Sequence, residues 1–204
     1  MKVLLINGSA RKAGNTFLAL SEIAKQLQAD NIEAEIMQIG NKAIRGCIAC
    51  NTCKNKGNNR CVFDDDICNA ISEKMKEGDA LIVGTPVYYG QPNGSVLALV
   101  QRMFYSAGSH FAGKPAAAVA VCRRGGATAA LQTMLMPFQI MNMPIVTSQY
   151  WNIVYGRDQG EAALDKEGMQ TMRSLAMNMA RMLRGLAPLP QPEYEPRQGM
   201  NFIR

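Results

Sequence analysis

The feature that most constrains this chain is a fivefold alternation of short apolar runs with segments of helical period. Apolar runs at residues 2–7, 35–39, 80–83, 116–122 and 144–148 are too short for helices. They are nearly continuous, as strands buried on both faces are. Between them, residues 16–29 carry Phe17, Leu20, Ile23, Ala24 and Leu27 at helical spacing. A helix is expected after the acidic residues 64–66, where Ile67, Ile71 and Met75 recur. Further helices are expected at 95–105, 127–141 and 161–184. Strands alternating with helices predict a three-layer α/β fold, a doubly wound five-stranded parallel sheet covered on both faces. The last helix is followed by a Pro-rich tail, PLPQPEYEP. No composition break or internal repeat divides the chain. Residues 1–204 therefore read as one domain, interrupted after the second strand by a cysteine-rich loop at 46–62.

Such sheets bind ligands at the carboxyl ends of their strands, beside the switch in strand order. With order 2-1-3-4-5, the first, third and fourth strands are adjacent. The three loops that follow them, at 8–16, 84–94 and 122–126, carry suitable chemistry.

The loop GSARKAGNT, residues 8–16, matches neither G-x-G-x-x-G nor the P-loop, because Asn15 stands where the P-loop lysine would be. It offers the hydroxyls of Ser9 and Thr16, the amide of Asn15 and the charge of Arg11, all ahead of a helix N-terminus. Free N–H groups and the helix dipole favour an anion there, and a monophosphate suits the loop. A plain helix cap with a flexible glycine turn is the alternative.

The chain at this point resembles the flavodoxin-like NADPH-dependent FMN reductases. The resemblance rests on GSxRxxGNT after the first strand and on GTPVYYGQPNG after the third, and it covers nearly the whole chain. The compact cysteine motif on this scaffold resembles the iron–sulfur flavoprotein branch. The resemblance implies FMN. Ser9, Arg11, Asn15 and Thr16 would hold its phosphate, and Pro86, Val87, Tyr88, Tyr89 and Gly90 would line its ring. Cys122, Arg123, Gly125 and Gly126 match the third flavin loop, with Arg123 or Arg124 placed to neutralise an anionic reduced flavin. A solvated turn is the alternative for Arg124. Neighbours on an extended segment point opposite ways, so one of Tyr88 and Tyr89 is expected to pack.

Cys47, Cys50, Cys53 and Cys61 form C-x2-C-x2-C-x7-C. Bacterial ferredoxins use C-x2-C-x2-C as the core of an iron–sulfur site, whereas structural zinc sites more often show two separated C-x2-C pairs. The spacing favours a 4Fe–4S cluster over zinc, with empty redox thiols as a third reading. The longer last gap is one that the iron–sulfur branch tolerates. Lys54, Lys56 and Arg60 lie between the ligands and offset their charge. The loop follows the second strand, within expected reach of the flavin side or a partner subunit. In this family the cluster commonly lies near a dimer interface. Cys68, beyond the cage, is expected to pack. Met169, Met172, Ala176, Met179 and Leu183 space as a helix face, for a core or a soft dimer interface.

The formal charge is +6, but no long Lys/Arg run and no aromatic–basic interleaving suggests nucleic acid. The N-terminal apolar run is short for a signal peptide, and none reaches membrane-spanning length. A cytoplasmic location follows as the expectation. There, clustered cysteines more often mean metal or redox chemistry than disulfides. The expected function is an FMN-dependent oxidoreductase, a homodimer or homotetramer. It would take hydride from NAD(P)H and pass electrons to a quinone, a flavin or, through a cluster, a one-electron carrier. The alternatives are a non-enzymatic electron carrier and a zinc-stabilised interaction protein.

Overall fold

The computed structural model describes residues 1–190, 192–196 and 198–199. The remaining residues of the expected 1–204 domain, one of them in the Pro-rich tail, lie outside the described residues. In chain order the elements are β1 (Lys2–Asn7), α1 (Asn15–Ala29), β2 (Glu33–Gln38), a single helical turn α2 (Thr52–Asn55), α3 (Cys68–Glu77), β3 (Ala80–Tyr88), a short β4 (Gln91–Pro92), α4 (Gly94–Ala107), β5 (Ala116–Cys122), α5 (Ala127–Ile140), β6 (Ile153–Tyr155) and α6 (Lys166–Leu186). The parallel strands lie in the order β2-β1-β3-β5-β6, and β4 pairs antiparallel with β3. Without that hairpin this is the expected order 2-1-3-4-5, a flavodoxin-like α/β fold.

Strand alternation sorts the apolar residues into two cores. Leu4, Ile6, Leu81, Val83, Ala118 and Ala120 point to one face, where α3, α4 and α5 cover them. Val3, Leu5, Ile82, Ala117 and Val119 point to the other, against α1 and α6. On α1, Leu20, Ile23 and Leu27 are fully buried, each worth roughly 1.5–3 kcal/mol of transfer free energy. The Met172, Ala176, Met179 and Leu183 stripe is buried in the same core, with Met169 packed against it. That stripe is therefore packing, as is Cys68, which is fully buried under α4. No helix of the described residues is long and apolar enough to cross a membrane.

Two expectations about strands are corrected. The third strand does not stop at 83 but continues to Tyr88 and folds back at Gln91. The fifth strand is broken. Ile145 makes only an isolated bridge to Ala116, residues 147–152 leave the sheet, and pairing resumes when Ile153 meets Ala120. The helix expected after residues 64–66 is α3, and its first amide, that of Cys68, donates to Asp66 at 3.0 Å. Asp66 also faces inward to pair with Arg102.

Candidate flavin groove and cysteine pocket

The strand-one loop is held before any ligand arrives. The Gly8 amide donates to the Gly84 carbonyl at 2.8 Å. A β-carbon on Gly8 would stand 2.6 Å from that oxygen, so the loop can approach β3 only as glycine. The Ser9 amide donates to Asn7, and the Gln38 side chain donates to the Ser9 carbonyl. The Ser9 hydroxyl in turn accepts from the Arg11 amide at 3.1 Å. The N-cap of α1, Gly14, contributes no side-chain cap, so the first-turn amides are left for an anion.

Asn15 lines the groove and has a second task. Its side chain donates to the Asp158 carbonyl at 2.9 Å and accepts from the amides of Gly160 and Ala162. It thus docks the 156–162 loop over the groove, as well as lining it. Gly156 packs on Asn15 so closely that a β-carbon there would lie 2.8 Å from the Asn15 nitrogen.

At the end of β3, Tyr88 pairs with Gln91. The two residues between them, Tyr89 and Gly90, have φ of 52° and 76°. Both are left-handed, which defines the primed turn that suits a two-residue hairpin. A tyrosine rarely adopts this conformation, and it costs of order 1–2 kcal/mol. Tyr88 and Tyr89 are both exposed, Tyr89 completely. The expectation that one of them packs is therefore wrong, because the twist of the hairpin carries both rings off the core. Asn93 is buried and ties this hairpin to the strand-one loop. It donates to the Gly8 carbonyl at 3.1 Å and caps α4 through the Ser95 amide.

The three loops form one groove. Ser9, Arg11, Asn15, Thr16, Pro86, Val87, Tyr88, Cys122 and Arg123 line a cavity of about 190 Å³, together with Gly14, Val121, Gly156 and Arg157. An adjoining hollow is lined by Val87, Tyr89, Gly90, Cys122, Arg123, Arg124 and Gly125. Gly126 packs beneath it against Gly90. Every sequence-predicted flavin residue is thus brought to one place. Arg11, Arg123, Arg124 and Arg157 are the charged residues along this wall, with no acid among them. An uncapped helix end at one side, an open slot at the other and a cationic wall fit a ligand with a phosphate tail and a planar head. Burial pushes the Cys122 thiol above its ordinary pKa, so it stands in the groove as a neutral thiol.

The four loop cysteines line a second, small pocket of about 20 Å³, together with Phe63, Arg102, Tyr105 and Ser106 of its surroundings. All four are free. Cys53 is buried on α2, and Ala49 and Asn51 on either side of Cys50 are left-handed. These reversals turn the chain back so that successive sulfurs face one hollow. The Thr52 side chain and backbone lower the pKa of Cys50. The Ala49 amide reaches the Cys47 sulfur at 3.4 Å, and Arg102 Nε reaches that of Cys61 at 3.3 Å. Among the described residues no group of three or more His, Cys, Asp or Glu side chains stands arranged to hold a single metal ion. A cluster spreads its thiolates over four irons, and four cysteines around one hollow fit that donor set. The pocket lies on the flank of α4 and shares no lining residue with the flavin groove.

The model of the NADPH-dependent FMN reductase family matches residues 1–158. The chain belongs to this family of flavin oxidoreductases. An iron–sulfur flavoprotein of Methanocaldococcus jannaschii is 33% identical over 192 residues, covering 90% of this chain and 98% of that protein. One from Archaeoglobus fulgidus is 32% identical, covering 90% and 92%. Among solved structures, RosB with a bound flavin-derived intermediate superposes with a TM-score of 0.73 at 14% identity, covering 100% of this chain and 92% of RosB. An archaeal flavodoxin superposes at 0.61 and 14%, covering 90% and 99%. At these identities the structural likeness speaks for the fold.

Sequence reasoning missed Asn7, Gln38 and Asn93, which brace the loops, and Arg102 with Asp66 behind the cysteines. Asn7 ends the first apolar run and Asn93 precedes a helix, so both had a weak signal. Arg102 lies on a helix and had none.

Proposed function

We propose that this family member binds FMN in the groove and acts as an NAD(P)H-dependent oxidoreductase that carries a 4Fe–4S cluster on Cys47, Cys50, Cys53 and Cys61. The observation that carries the flavin reading is the single cationic groove joining the uncapped α1 N-terminus to the β3 hairpin. Ser9, Thr16 and the α1 amides would hold the phosphate, with Arg11 at the mouth. Pro86, Val87 and the Tyr88–Gly90 turn would flank the ring on one side, and Cys122 to Gly126 on the other. When bound, FMN exchanges two electrons as hydride and single electrons in steps. The protein's part is to orient the ring, present backbone amides to it and offer the guanidinium of Arg123 to negative charge. The names of the curated relatives and the one hollow shared by four thiols support the cluster.

The donor is read as a nicotinamide nucleotide. The acceptor is read as a small molecule or a redox protein, and the protein as a cytoplasmic homodimer or homotetramer. The test is protein purified without oxygen, assayed for flavin, iron and sulfide, then for steady oxidation of NADPH and NADH. Flavin with about four irons per chain and nicotinamide turnover is the expected result. Bound flavin without nicotinamide turnover would leave an electron carrier. Zinc without flavin would overturn the reading.

A further inference from the structure

Among the described residues Arg102 is the most deeply buried charge, at 1% exposure, and it lies outside the flavin groove. Its side chain leaves α4 and meets four acceptors. Nη1 pairs with Asp66, whose side chain is 2% exposed, and also reaches the Arg45 carbonyl at 3.2 Å. Nη2 reaches the Phe63 carbonyl at 3.2 Å, and Nε reaches the Cys61 sulfur at 3.3 Å. The Phe63 ring lies against the Arg45 and Arg102 guanidinium carbons, at 4.9 and 5.4 Å from its centroid. Arg45 immediately precedes the cysteine loop, and Cys61 to Asp66 close it. One guanidinium therefore fastens both ends of the segment that carries all four thiols.

A buried ion pair is by itself weak evidence of stability, since apolar residues of similar volume often do as well. What apolar residues cannot supply is a fixed fork of donors that serves two backbone carbonyls, a carboxylate and a sulfur at once. We propose that Arg102 is the positioning residue of the cysteine pocket. It holds the loop closed before any cluster arrives, and its N–H to Cys61 favours the reduced, more negative form of the cluster. This rests on the reading of the four cysteines as cluster ligands. Hydrogen bonds to cluster sulfurs raise reduction potentials, and partners of this kind typically matter 10- to 100-fold for metal retention.

The test compares native protein with Arg102→Lys and with the paired change Arg102→Met and Asp66→Asn, which leaves no carboxylate unpaired. All are purified without oxygen and reconstituted with iron and sulfide. The paired variant is expected to keep native flavin binding and take up iron. It should lose that iron to a chelator about tenfold faster or more and show a lower midpoint potential in a titration followed by electron paramagnetic resonance. Without metal, proteolysis within residues 46–61 should be faster than in native protein. Arg102→Lys keeps the charge but has no planar fork, and should fall between the two. Native iron retention and midpoint potential in the paired variant overturn the proposal. If that variant does not fold, native values in Arg102→Lys overturn it instead. Native protein that takes up no iron removes the cluster reading itself, and this proposal with it; that outcome is separate because it appears before any substitution.

Discussion

Gly126 rests against Gly90 with no room for a side chain between them. A β-carbon on Gly126 would stand 2.6 Å from the Gly90 α-carbon, and Gly126 has φ +86°. The strand-three hairpin and the loop after β5 are shaped against each other at this point. Gly126→Ala strains the backbone and pushes the hairpin away. Overpacking of this kind costs about 1–3 kcal/mol. FMN affinity, followed by quenching of flavin fluorescence, should fall at least about tenfold, since 1.4 kcal/mol is a factor of ten. Unchanged affinity would show that the hairpin position does not shape the groove.

Asn15→Ala separates loop docking from phosphate contact. The substitution removes one donated and two accepted hydrogen bonds to the 156–162 loop. A buried group left unpaired costs about 1–3 kcal/mol. Hydrogen exchange should accelerate at the amides of Gly160 and Ala162 even in protein without flavin. Arg11→Ala should instead weaken FMN binding, more at low salt than at high, and leave those amides protected.

Cys68 and Cys53 make a matched pair, since both are buried but only Cys53 lines the cysteine pocket. Burial raises the Cys68 thiol pKa to about 12, which suits a core residue and not a ligand. Cys53→Ser should abolish stable iron uptake with little change in flavin content. Cys68→Ser should keep iron and lower the melting temperature, because it buries a hydroxyl in the core. Iron loss in both variants would place Cys68 among the ligands.

The acid side of the stability curve can be read at Glu35. Hydrogen bonds from Lys2 hold its carboxyl below the ordinary value, and Lys74 assists. A depressed carboxylate pKa means the folded state binds fewer protons than the unfolded chain. The contribution is therefore present above the usual glutamate pKa and is lost as pH falls through the lower, folded value. Glu35→Gln should be less stable than native protein in urea at pH 7. The two should converge as the pH drops below about 4.3. A gap that persists in acid would mean that Glu35 acts through packing.

The sheet order and the flavin groove were legible because periodicity and glycine placement are local signals. Lys2–Asn7 and Ala116–Cys122 are continuous apolar runs, and the three loop motifs sit directly after strands. The break at 147–152 was not legible, because Ile145 and Val146 look like any buried strand while the run that pairs properly, Ile153–Tyr155, is only three residues long. Tyr88 and Tyr89 depart from the expectation because alternation holds for an extended segment and this one turns. Arg102 was invisible for a different reason. On α4 it looks like an ordinary surface arginine, and its partners, Arg45, Cys61, Phe63 and Asp66, lie 36 to 57 residues away in the chain.

One helix touches both places where electrons would reside. α4 begins at the hairpin, where Asn93 caps it, and its last two turns supply Arg102, Tyr105 and Ser106 to the cysteine pocket. Nine residues of α-helix rise about 14 Å. Within one chain α4 thus spans from the hairpin beside one pocket to the wall of the other. An electron passing between the two sites within one chain would therefore travel along α4, from its capped end toward its C-terminal half.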